Sequence, residues 1–219
     1  MINYIFSSFL IFLTLFIVSS CIVPESTHVE PTFHLLSAID FDQNDSSSAE
    51  PDHFLQDEDL PGYTFYLKQI EVPSYMQENR IISRLEMGKI EFRENDRWGE
   101  SIVDGVGRVT GLNLSRYLNS PFYSVYPHRK KIGTSYEVNL TIYRFEKVAK
   151  DEVLLQAGWE IFSRKHKNGS YPVLHGKENL RTSIEPDSVN EEIIGLSKLL
   201  AIMAQKVSDA IYNIKPIQN

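Results

Sequence analysis

Two stretches of strict alternation do most to limit what this chain can become. Tyr136, Val138, Leu140 and Ile142 alternate with Glu137, Asn139, Thr141 and Tyr143. Val153, Leu155, Ala157, Trp159 and Ile161 then alternate with Leu154, Gln156, Gly158, Glu160 and Phe162. Successive side chains of a strand point to opposite faces, so this period of two gathers the first set of each stretch on one side. A helix would scatter the same residues around its circumference. The pair reads as a long antiparallel ladder with one face in the core.

Shorter β signals flank it. Phe33 to Ile39 is an apolar segment that suits a first strand. Tyr63 to Val72 alternates and is rich in β-formers, and Pro73 ends it. Arg80 to Leu85 and Lys89 to Arg93 read as a hairpin turning near Met87-Gly88. Phe122 to Tyr126 forms a short strand, Asn168-Gly169 a turn, and Tyr171 to Ile184 one strand more.

Two segments follow a helical period. Pro186-Asp187-Ser188 precedes a stripe of Val189, Ile193, Leu196, Leu200, Met203, Val207 and Ala210, and Ser188 with Glu191 makes a capping-box pattern. Such a stripe suits a coiled-coil seam or a sheet-packing face; Leu199 and Ile202 widen it and favour the sheet. Earlier, Ser101 with Asp104 caps a helix whose apolar face holds Ile102, Val106, Val109, Leu112 and Leu114 to Leu118, with Pro121 at its exit. Gly105, Gly107 and Gly111 each cost this helix about 0.5–1 kcal/mol relative to alanine. They imply close packing against a sheet or a helix held up by tertiary contacts. The expected class is α+β: an antiparallel or mixed sheet with two main helices on one face.

Cys21 is the sole cysteine, so no disulfide can form within the chain. It follows a nearly unbroken apolar run from Ile5 to Val18 and closes the sequence Val18-Ser19-Ser20-Cys21. An aliphatic residue, two small residues and a cysteine form the lipobox pattern, in which the thiol receives diacylglycerol. The run is shorter than the about 20 apolar residues a spanning helix needs, and it lacks a basic stop-transfer flank. A cleaved signal over residues 1–20 is favoured. The n-region has no Lys or Arg, and an uncleaved N-terminal anchor is the competing reading. Residues 21–32, polar with Pro24 and Pro31, would be the lipidated N-terminus and tether, and residues 33–219 one domain with its own core. The expected non-protein groups are the S-diacylglycerol and N-acyl lipids on Cys21, with no other cofactor.

The formal net charge is −7, yet it is local. Within residues 40–60, Asp40, Asp42, Asp45, Glu50, Asp52, Asp57, Glu58 and Asp59 occur without any Lys or Arg, so the remainder is close to neutral. This segment reads as a solvated acidic loop. The competing reading is an acidic docking or cation site, though the segment lacks the ligand spacing and turn glycine of a calcium loop. No broad basic surface or aromatic-basic array appears, which argues against nucleic acid as a partner. His128-Arg129-Lys130-Lys131 sits between two strands and reads as a polar turn.

Catalytic signals are lacking. The six histidines fall in no metal-ligand spacing, no Gly-rich phosphate loop follows a strand, and there is no GxSxG elbow. No catalytic or metal-ligating residue is assigned. Asp96-Arg97-Trp98 is the one compact polar-aromatic cluster outside the acidic segment. One reading is structural: an Asp–Arg pair and a buried Trp holding the start of the first helix. The other is a docking surface, since Trp and Arg are enriched at binding hot spots.

Several of these segments resemble a known family. Ile70-Glu71-Val72-Pro73-Ser74-Tyr75-Met76 is similar to its V-P-x-Y-L step, and Arg80 to Arg84 to its next strand. Lys89-Ile90-Glu91-Phe92 followed by Asp96-Arg97-Trp98-Gly99-Glu100 resembles its R-L-E-F…D-R-W-A-E hallmark, with Gly99 in place of Ala. Asn113-Leu114-Ser115 resembles its helical E-N-L, and Arg144-Phe145-Glu146 with Trp159 its R-F-E…W strand pair. The family is the ABC-type transport auxiliary lipoproteins, typified by the paraquat-inducible lipoprotein subunit. The resemblance runs from Phe33 to Ile214; the helix glycines and the acidic segment depart from the pattern. It implies a non-enzymatic, lipid-anchored, periplasm-facing outer-membrane protein. The implied partner carries a mammalian-cell-entry (MCE) lipid-binding domain in an intermembrane lipid transport system, and some members form homo-oligomeric rings. Ile22 is not the Asp that marks inner-membrane retention in some bacteria, so outer-membrane sorting is favoured. The alternative is a periplasmic lipoprotein that itself binds a small ligand or lipid, or an unrecognised periplasmic enzyme.

Overall fold

In a computed structural model of the chain, the structure describes residues 29–38, 63–163 and 172–214. Cys21, the acidic segment 40–60 and the turn at Asn168-Gly169 lie outside the described residues. The ordered elements are β1 (Thr32–His34), β2 (Phe65–Leu67), β3 (Arg80–Glu86), β4 (Lys89–Trp98), α1 (Ile102–Tyr117), β5 (Tyr123–Val125), β6 (Tyr136–Ala149), β7 (Glu152–Ser163), β8 (Leu174–Ser183) and α2 (Val189–Tyr212). A 3-10 turn, Ser74–Gln77, links β2 to β3.

The fold is α+β, with the eight strands in one mixed sheet. The alternating stretches become β6 and β7, antiparallel along their whole length, from Tyr136 opposite Ser163 to Ala149 opposite Glu152. β8 continues the antiparallel run beyond β7. The other edge of β6 is shared. β2 pairs with its first residues in parallel, Glu71 bridges Thr141, and β3 meets Lys147 in parallel. From there β4 and β1 extend the sheet past β3, while β5 extends it past β2.

Two expectations change in detail. The strands foreseen over Phe33–Ile39 and Tyr63–Val72 are only three residues long, at Thr32–His34 and Phe65–Leu67. β7 is not single-faced: Leu154, opposite Glu146 and Arg181, is as fully buried as Val153 and Leu155. Of the two sheet types expected, antiparallel or mixed, the sheet is mixed, because β2 and β3 both pair in parallel with the shared edge of β6.

Both helices close one core. Ser101 and Ser188 each accept the backbone N–H three residues on, from Asp104 and Glu191, which satisfies a first-turn donor. α2 lies on β6, β7, β8 and α1, so its wide stripe is a packing face and not a narrow seam. α1 packs on α2 and β5. At the β3–β4 hairpin Gly88 takes φ 79°, a left-handed conformation that other residues rarely adopt.

Candidate functional site

Asp96, Arg97 and Trp98 end β4, where neighbouring side chains alternate across the sheet. Trp98 enters the core beside Met76, Ile81, Ile82, Ile102, Phe145 and Leu196 and keeps 7% of its surface exposed. Its backbone N–H donates to the Asn79 carbonyl at 2.6 Å. The space among these side chains is about 10 Å³, which admits at most one water. Asp96 does not pair with Arg97, the partner its sequence neighbourhood suggests. Its Oδ1 lies 2.9 Å from His34 Nε2, and its Oδ2 lies 4.0 Å from Arg93 Nη1. Adjacent strand residues face opposite ways, so Asp96 is directed away from Arg97 and toward β1.

Arg93 leads to a buried ionic site that sequence reading missed. Its Nη2 donates to Glu192 Oε2 at 2.6 Å, joining β4 to the first turn of α2. The Glu192 side chain is fully buried and Lys147 nearly so. Burial pushes the Glu192 carboxyl above the ordinary carboxylate range. Arg93 and Lys147 oppose that shift and Asp96 adds to it. The partners are 99 residues apart, and nothing local in the sequence couples them.

A second buried carboxylate gathers three of the segments on which the family resemblance rests. Glu146 is fully buried, with Arg84 Nε at 2.9 Å and Arg144 Nη2 at 2.7 Å. The Tyr75 hydroxyl lies 3.4 Å from Glu146 Oε2, and the Arg84 guanidinium lies over the Tyr75 ring at 5.3 Å. Burial raises the Tyr75 hydroxyl above its usual range, and the Glu146 charge adds to the shift. Val72-Pro73-Ser74-Tyr75, Arg84 and Arg144-Phe145-Glu146 thus converge on one point, where two guanidiniums compensate one carboxylate removed from water. The carboxylate, phenol and guanidiniums are all engaged with one another, an arrangement that fixes the 3-10 turn and β3 on β6.

Two clefts lie among the described residues. One, about 560 Å³, runs between the α1 side bearing Asp104 and Arg108 and the chain from Tyr123 to Lys131. Arg108 pairs with Glu100 and donates through Nη2 to the Leu36 carbonyl at 2.9 Å, tying β1's exit to α1. The other, about 490 Å³, is polar and includes Lys68, Glu71, Asn139 and Glu160 on the sheet. Tyr126 borders both. Among the described residues no group of three His, Cys, Asp or Glu side chains could hold a metal, and no helix is long and apolar enough to cross a membrane.

Among the described residues, one mixed sheet backed by two helices, with ionic sites tying its strands together and clefts open on its surface, defines the α+β class of this domain. Comparison with known proteins places it. The chain belongs to the family of ABC-type transport auxiliary lipoprotein components, which it matches over residues 56–208. An uncharacterized protein of known crystal structure is similar in fold, with a TM-score of 0.59 at 16% identity, the match covering 69% of this chain and 94% of the other. A protein from Xanthomonas campestris is similar with a TM-score of 0.55 at 10% identity, over 83% of this chain and 92% of the other. No curated protein matches.

Proposed function

We propose that this protein is an outer-membrane lipoprotein, anchored through lipids on Cys21 and facing the periplasm, that acts without catalysis as the docking subunit of an intermembrane lipid transport system. Its partner is a periplasm-spanning protein with an MCE lipid-binding domain, and copies of the subunit assemble as a homo-oligomeric ring around it. The family match over residues 56–208 carries this reading. The anchor has a physical logic: each buried CH₂ contributes about 0.8 kcal/mol, so one acyl chain holds only marginally and two or more hold stably. A domain so held stays at one membrane to receive a partner from the other. The packed core beside Trp98 has no room for an acyl chain, so a lipid bound by the described part of this domain would have to lie in a surface cleft.

A palmitate analogue fed to cells should label the wild type and not Cys21→Ala. Affinity-tagged wild type should co-purify with the MCE-domain protein and carry no lipid in its own core. Equal labelling of both forms would overturn the anchor. Stoichiometric lipid bound in the fold, with no transporter subunit recovered, would favour the ligand-binding alternative.

A further inference from the structure

We propose that β5, α1 and the loop His128–Lys131 form a receptor for an extended acidic peptide, which adds to the sheet as a strand beside β5. β5 ends the sheet path and pairs only with β2 among the described residues. In a parallel ladder alternate residues turn both backbone groups to the same neighbour. The Tyr126 N–H donates to the Leu67 carbonyl, so Ser124 and Tyr126 face β2, while Tyr123 and Val125 face the open edge. The Val125 carbonyl there accepts from the His128 N–H at 2.9 Å. Among the described residues the Tyr123 N–H and C=O and the Val125 N–H have no backbone partner and remain for an incoming strand. That edge opens on the cleft of about 560 Å³, whose other wall is the first turns of α1 at Asp104 and Arg108, while further along α1 packs through Gly107 and Gly111 on the side chains of Val125 and Tyr123. An edge strand facing a helix across a groove is the geometry in which main-chain pairing supplies affinity and side-chain pockets supply selectivity.

Charge selects the occupant at the loop end of the groove, whereas on the α1 wall Glu100 is paired with Arg108 and Asp104 accepts from the Ser101 hydroxyl. At the end of the groove the chain turns through His128, Arg129, Lys130 and Lys131, all exposed. Lys130 pairs with Glu137 and Arg108 with Glu100. Among the described residues no carboxylate pairs with Arg129 or Lys131. The Tyr126-Pro127 step beside them offers an apolar floor. A nucleic acid or an anionic headgroup would use the cations and leave the strand edge idle, whereas a polypeptide with carboxylates at one end uses both. The inference stands on this geometry whether or not the partner is a transport protein.

The test uses the full-length chain in detergent and two pooled libraries of fluorescein-labelled peptides. Both are about eight residues long, the length of an ordinary strand, with Val, Thr, Ile and Tyr randomised in the body. One ends in three carboxylates and the other in three lysines. The acidic pool should bind about tenfold tighter than the basic pool, and Arg129→Glu with Lys131→Glu should reverse that preference. Bound acidic peptides should slow amide exchange at Tyr123 and Val125. Val125→Pro, which removes one edge donor, should weaken both pools. If Val125→Pro fails to fold, the exposed charge-reversal variant still decides the matter. Equal binding of the two pools, or no added protection at β5, would overturn the proposal. So would binding that appears only after deletion of residues 45–58, because the groove would then serve the chain's own acidic segment.

Discussion

Replacing Gly107 and Gly111 of α1 by alanine, one at a time, should move stability in opposite directions. Both lie in the interior of the helix, where alanine is favoured over glycine by about 0.8–1 kcal/mol. A Cβ at Gly107 would sit 3.5 Å from Val125 Cγ1 and 3.6 Å from Ile70 Cγ1, which is ordinary contact. Gly107→Ala should therefore gain about 1 kcal/mol. A Cβ at Gly111 would sit 2.5 Å from Val125 Cγ2. Val125 is β-branched with a stiff χ1, so it cannot swing aside and the helix must lift from β5. Overpacking of this kind costs about 1–3 kcal/mol, which cancels or exceeds the propensity gain. Gly111→Ala should be less stable than the wild type by up to about 2 kcal/mol. Urea unfolding followed by far-UV circular dichroism reads both, through midpoints that shift at constant slope. Stabilisation of both variants by similar amounts would refute the reasoning, since the glycines would then be mere propensity defects and α1 would not be pressed onto β5.

Trp98→Ala empties a large, 93%-covered side chain from the cluster around Phe145 and Leu196 and should cost about 3–5 kcal/mol; a variant that melts like the wild type yet loses its transporter partner would make Trp98 a contact residue. Glu192 sets a pH dependence. Its folded pKa is raised, so the protonated carboxyl is favoured in the native state, and this site's contribution is greatest below the unfolded value of about 4.3 and is lost as pH rises through the folded pKa. The wild type's stability relative to Glu192→Gln should therefore grow as pH falls from neutral toward that value. A thermal-melt series in which the difference stays flat or shrinks would contradict it.

Much of the local structure was legible before any tertiary contact was known. Period-two alternation marked β6 and β7 because each strand presents a face to one shared core, and Ser101 and Ser188 marked both helix starts because a cap acts within one turn. Met87-Gly88 marked the hairpin for a similarly local reason, the positive φ at Gly88. What the tertiary structure alone decided involves residues brought together across long separations. β2 and β3 divide one edge of β6 through single stretches of parallel pairing, and the short strands foreseen near β1 and β5 carry too few residues to show which strands they join. Arg93 with Glu192, and Arg84 with Glu146, look in sequence like any solvated charges. They become pairs only because the fold buries each carboxylate completely beside a half-buried arginine, and a carboxylate so enclosed requires a cation beside it. Asp96 shows the limit most directly: its neighbour in the chain is Arg97, but the pleat of β4 turns them apart and gives Asp96 to His34, 62 residues away.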